Sequence, residues 1–476
     1  MLALLLLAAC NATSEPLLDE EPLAAQTSSP PAAVIDAPAV LLADPPTPLP
    51  SPGQVFYVDP NGSDSDDASL TTPWLTIQHA VDNIAPGDTI LLQSGTYAGA
   101  RMERSGTAAA WITLAAAPGA TVLINTPGPN NKHDSILEFE TWEGAETVAF
   151  WLVDGLEVAA APNWGIDLRG SEGNHSHHFI IRNNQVHDNG LSSGKSGIFT
   201  GFVDSIIVEG NESYANGEHG LYLSNSGDHF QARGNLLHHN KNCGLHLNGD
   251  LDSGADGIIS DGLIENNIIY ENGDGGCSGI NMDGVTDTVV RNNLLVENHA
   301  GGISIFQENG AVCSQNIQLL NNTIVQADDG RWAINISASN CINNKIFNNI
   351  ILTSHPWRGS IVIPTATLSG FESDYNIIMD RFSVDDDNSV IDLSAWQALG
   401  YDTHSIIATP AEVFSSAGDY HLHPLSPALD AGVTLAGVER DLEGRPRPMG
   451  AAYDIGAFEY PVDLPKNSFL PAVFSF

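Results

Sequence analysis

Three short stretches carry residues whose types and spacing could do acid–base chemistry: GLYLSN (220–225), GLHLNG (244–249) and GINMDG (279–284). In each, a Gly opens an alternation of apolar and polar residues, the pattern of a short strand with one buried face. Tyr222/Ser224, His246/Asn248 and Asn281/Asp283 share the other face. A lyase acting on a uronate needs a base for the proton alpha to the carboxylate and a cation to neutralise that carboxylate. His246 or Lys241 is the candidate base, Tyr222 and Asp283 are the neighbouring catalytic candidates, and Arg331 is a further positive contact. Asp250, Asp252 and Asp283 offer the hard oxygen ligands that suit calcium, the expected cofactor; the alternative is that they are solvated loop acids. Asn281, Asn248, Glu308 and Phe306 complete the expected substrate-binding set. A glycoside hydrolase would instead need two carboxyls roughly 5–9.5 Å apart, from Asp283 with Asp250 or Glu308. A third reading is a non-catalytic surface that binds glycan or another cell.

These strands belong to a repeat. Asn184, Asn211, Asn235, Asn267, Asn293, Asn322, Asn349 and Asn376 each precede a short apolar run. Their uneven spacing around a fixed pattern is that of a solenoid whose loops vary on one side. The spacing predicts an all-β solenoid of three-strand coils, with the Asn residues stacked in a ladder. Stacking the outward positions gives one column of Asp167, Phe199, Tyr222, His246, Asn281, Ser304 and Asn335. A second runs Arg169, Thr200, Ser224, Asn248, Asp283, Phe306 and Ser337. Lys195, Glu218, His219, Lys241, His299 and Arg331 flank one side, and Asp228, Asp250, Asp252, Asp256 and Glu308 the other. His175, His177 and His178 read as a solvated loop. Equivalent positions on adjacent coils lie about 5 Å apart, which suits a disulfide, so Cys243–Cys277 and Cys313–Cys341 are the predicted pairs.

The 476 residues carry a net charge of −41. That balance argues against nucleic acid or an anionic membrane surface as partner. It also opposes a polyanionic glycan unless local cations or calcium offset the field. The Leu/Ala run at 2–9 ends in Leu7-Ala8-Ala9-Cys10, which resembles a bacterial lipobox with Cys10 as the lipid-modified residue. The expected product is exported, held to the cell envelope by that lipid or secreted, and monomeric. Residues 11–53 read as a Pro/Ala/Ser-rich tether, 54–125 as an N-terminal cap with a short helix and first coil, and 126–380 as the β-helix. Residues 381–460 read as a C-terminal capping module and 461–476 as a tail.

The cap VFYVDPNGS…GDTILLQSGTY and the following coils resemble the pectate-lyase-like right-handed parallel β-helix superfamily over roughly residues 54–460. The tail module resembles those of exported, surface-anchored β-helix proteins, through Asp441, Gly444, Pro446, Asp454, Ile455, Gly456 and Glu459. The resemblance implies a polysaccharide substrate or ligand, with the site on the face of the three opening strands. It brings calcium-dependent lyases, uronan epimerases and glycoside hydrolases into scope, without a catalytic motif that transfers residue by residue.

Overall fold

The computed structural model describes residues 53–141, 146–338 and 340–461. Cys10, the tether up to residue 52 and the tail beyond residue 461 lie outside the described residues. The chain winds into a right-handed parallel β-helix whose coils build three parallel sheets. The first sheet runs from Val55–Val58 to Glu372–Asp374, the second from Ala100–Met102 to Phe382–Ser383, and the third from Gly95–Ala98 to Ile406–Ile407. Inward Ile, Leu and Val residues stack along the axis, with Phe139 edge-on to Trp151 and Phe179 at ring distances of 5.4 and 5.6 Å. Every coil buries its apolar face only against its neighbours, so the ends need covers. Ile77–Asn83 supplies one, with Thr76 capping its first turn and Ile77, Ala80 and Val81 turned inward.

The Asn ladder forms as the spacing predicts. Each Asn side chain donates to the Oδ1 of the Asn one coil on, from Asn184 through Asn211, Asn235 and Asn267 to Asn293. It continues through Asn322 and Asn349 to Asn376 and ends on the buried carboxyl of Asp402. A second ladder accompanies it at Asn189, Asn216, Asn240, Asn272 and Asn298. It supports the turn that enters the opening strands.

The C-terminal cover is divided. Leu393–Ala398 closes the end, with Trp396 stacked on Phe382 at 4.9 Å. The residues from 430 onward fold back along the side of the helix: Asn292 donates to the Arg440 carbonyl, Asn321 to those of Asp454 and Gly456, and Asn348 to that of Val433. A fully buried Arg447–Glu459 ion pair holds this segment together. Both predicted disulfides are present, joining Cα atoms 4.9 and 4.8 Å apart. His177 and His178 are not loop residues but begin the strand Ser176–Arg182, and His175 reaches the Asp204 carboxylate at 3.1 Å.

Candidate functional site

The opening strands all lie in the second sheet. Ile166–Arg169, Ile198–Gly201, Leu221–Ser224, Leu245–Asn248, Ile280–Asp283 and Ile303–Phe306 pair in register. That register aligns Asp167, Phe199, Tyr222, His246, Asn281 and Ser304 in one outward column, as expected. The second column differs at one place. Gly201, not Thr200, stands between Arg169 and Ser224, because Ile198 and Thr200 take the inward positions, and a one-residue step reverses the face.

The centre of the face is a cluster of rings. Tyr222 and His246 lie 4.7 Å apart between centroids, His219 lies 5.0 Å from Tyr222 and 4.7 Å from His246, and Phe199 meets Tyr222 edge-on at 5.3 Å. His219 is only 6% exposed. Its Nδ1 accepts from the Cys243 backbone N–H at 3.1 Å, so the proton of the neutral ring sits on Nε2. Burial, with His246 adding to it, holds His219 well below the ordinary imidazole range, and burial holds His246 down at about 4. Both rings are therefore neutral near pH 7. Burial pushes the Tyr222 phenol up to about 12, so it keeps its proton. The Asn248 amide is oriented by the Asp250 N–H, which donates to Oδ1. Its nitrogen then donates to the Tyr222 hydroxyl at 3.2 Å, and the Ser224 side chain is a second hydrogen-bond partner of that hydroxyl. The Asn281 amide nitrogen lies 3.2 Å from His246 Nδ1. Burial raises the Glu218 carboxyl against the Ser196 hydrogen bond and the nearby Lys195.

Several expected site residues are elsewhere. Asp283 is buried, and its two oxygens accept the backbone N–H groups of Glu308, Asn309 and Gly310 at 2.9, 2.7 and 3.1 Å. It is a loop anchor. The calcium trio does not assemble: Asp250 accepts from the Ser253 hydroxyl, Asp252 is exposed, and Asp283 is committed. Among the described residues, the acid, His and Cys side chains that gather at metal-ligand spacing are His219/Cys243/Cys277 and His133/Glu138/Glu140. The first includes a disulfide, and in the second Glu138 already accepts the Lys132 and His133 N–H groups. The carboxylate pair built on Asp283 is lost for the same reason. Lys241 and Arg331 are exposed on the flank, the guanidinium passing beside Gly276, and Glu308 is exposed while Phe306 is half-buried on the opposite side.

Trp164 was not among the expected site residues. It occupies the column just before each strand's opening Gly, which continues as Ser196, His219, Cys243 and Ser278, and that shared offset was the available signal. The Arg169 guanidinium carbon lies 4.6 Å from the Trp164 ring centroid and 4.7 Å from that of Phe199, and Lys195 Nζ lies 4.8 Å from the Trp164 centroid.

A family described as "Pel9A-like, right handed beta helix region" matches residues 56–340. Pectate lyase PEL9 of Emericella nidulans is 32% identical over 161 residues, which are 31% of this chain and 35% of that protein. The uncharacterized protein YwoF of Bacillus subtilis is 27% identical over 219 residues, 41% of this chain and 44% of its own length. The chain thus spans less than half the length of either relative. Among solved structures, pectate lyase Pel9A superposes with a TM-score of 0.57 at 19% identity, covering 86% of this chain and 97% of that one. XylC in complex with xylose gives 0.51 at 11% identity over 86% and 99%. At these identities the structural likeness is one of fold. With the match extending over more than half of its residues, the chain belongs to the Pel9A-like right-handed β-helix family.

Proposed function

We propose that the protein is a polysaccharide lyase that cleaves an acidic glycan by β-elimination at the Tyr222–His246 pair. The observation that carries the reading is a neutral imidazole packed against a protonated phenol at 4.7 Å, on adjacent coils of an outward face. In the proposed step His246 removes the proton at C5 of the uronate, the C5 electron pair forms the C4–C5 double bond, and the C4–O bond breaks. Tyr222 gives its proton to the departing oxygen. His246 acts through its ring, which the Asn281 side chain holds in place 3.2 Å from Nδ1. A base held down at about 4 is weak in the empty site, but a docked uronate carboxylate raises it by favouring the imidazolium. His219, with its proton on Nε2, donates to that carboxylate. No step runs through Asp250, Asp252 or Asp283.

A second reading, a glycan-binding surface without turnover, is favoured by one observation. On the third sheet His187, Tyr214, His238 and Tyr270 stack at 4.7–4.9 Å as a ladder of the same residue types. Rings of this kind can serve packing alone. Release of unsaturated uronate ends from polygalacturonate or alginate, read by their ultraviolet absorbance, supports the lyase. Binding without such release supports the second reading. Export, with Cys10 carrying a lipid, is part of the proposal and is supported by two disulfides of the kind that persist in oxidising compartments.

A further inference from the structure

The Trp164 shelf holds two cations on one indole ring in a chain with 17 basic and 58 acidic residues. Some of that positive charge is answered locally. Arg169 Nε donates to the buried Asp167 carboxylate, which also accepts the Ser135 hydroxyl, and Glu218 is near enough to Lys195 to feel its charge. Two donors are not answered. Arg169 Nη2 and Trp164 Nε1 are both buried without a hydrogen-bond partner, as is Asp167 Oδ1, which lies 2.8 Å from Arg169 Nε in the ion pair. A buried unpaired donor costs about 1–3 kcal/mol, so two of them in one small shelf point to an acceptor from outside the chain. The acceptor that suits a guanidinium, an indole N–H and an ammonium together is a carboxylate.

We propose that Trp164, Arg169 and Lys195 form a carboxylate-binding subsite that selects polyuronates over neutral glycans. The proposal rests on the lyase reading only in the choice of substrate class. Arg169 lies two coils before Tyr222, about 10 Å along the axis at roughly 4.8 Å per coil. The shelf therefore grips a sugar away from the reacting bond, on the same chain of glycan. Its aromatic floor, Trp164 and Phe199 at 5.3 Å, supplies the apolar contact that a sugar ring needs beside its charge. It also answers the difficulty posed by net charge, by placing local cations where a polyanion approaches.

The test is binding of the full chain carrying Tyr222→Phe, which removes turnover as a variable. The probes are polygalacturonate, alginate and fully methyl-esterified homogalacturonan, in which the carboxylates are uncharged. The expected result is tighter binding of a polyuronate than of the ester. Arg169→Gln and Lys195→Gln should each weaken polyuronate binding about tenfold, leave ester binding unchanged and lessen its salt dependence. Lys195→Gln keeps the test open if Arg169→Gln fails to fold through its lost Asp167 pair. The proposal is overturned if both variants bind polyuronate within about twofold of the parent, or if charged and esterified polymers bind alike. Failure of the lyase reading is separate: it is the absence of unsaturated ends from the unmutated chain, whatever these affinities are.

Discussion

Burial sets the ionisation of His246, and that has a consequence for stability. The folded protein takes up this proton at about 4, whereas an unconstrained imidazole takes it up near 6.5. The unfolded chain therefore binds more protons between those values, so stability is fully present above pH 6.5 and falls as pH drops toward 4. The loss from this one group reaches about 3 kcal/mol, and His219, also held down by burial, adds to the same slope. Melting temperature followed from pH 7 to pH 4 should fall less steeply in His246→Asn than in the parent. If His246 is the base as proposed, the acid limb of kcat/KM should fall near pH 4 rather than 6.5, since that limb reports the unliganded protein. Asp283 carries a different kind of prediction. Its carboxylate satisfies three backbone N–H groups, so Asp283→Ala should cost on the order of 3 kcal/mol in chemical unfolding, through loss of the 308–310 loop. Tyr222, His246 and Asn281 were legible as one face because alternation alone fixes which way they point. That Asp283 turns its oxygens into a loop depends on residues 25 to 27 positions away, which no local pattern encodes.

At the scale of elements, the Asn ladder was the most legible feature because each coil repeats it. The second ladder was equally present in the sequence. Asn189, Asn216, Asn240, Asn272 and Asn298 each follow a first-ladder Asn by five residues, a turn-to-turn distance set by one three-residue strand. The doubled Asn of RNN, LNN and FNN has a further use. The second Asn enters the ladder, while the first, at φ of 52°, 52° and 58° for Asn292, Asn321 and Asn348, projects outward to grip the returning C-terminal segment. A pure end cap would be indifferent to these residues. Asn321→Ala should therefore expose residues 430–460 to limited proteolysis while the coils stay resistant, and equal resistance in both proteins would contradict the attachment. The division of the C-terminal module was hidden because its contacts cross more than 80 residues.

The whole molecule is a stack whose neighbours share a rigid register, and this turns a sequence pattern into a surface. Disulfides at Cys243–Cys277 and Cys313–Cys341 staple the coils that carry the ring cluster and those just beyond it. Metabolic labelling with palmitate should mark the expressed protein and vanish in Cys10→Ser; persistence of label there would remove the anchor from the account. The strong negative charge makes the placement of the few cations informative, and Arg169 and Lys195 share one ring on the face where a polyuronate would lie. The fold was legible from periodicity, whereas the reaction was not, because a β-helix offers every coil's outward residues as equal candidates until packing and burial separate them. In the proposed reaction the Tyr222–His246 pair performs β-elimination. The direct measurement is ultraviolet absorbance of unsaturated uronate ends released from polygalacturonate and alginate by the parent, Tyr222→Phe and His246→Ala. Release by the parent is expected, with a loss of at least about a hundredfold in each variant and melting temperatures at neutral pH close to the parent's. Release that survives in both variants, or none from the parent on either polymer, would contradict it.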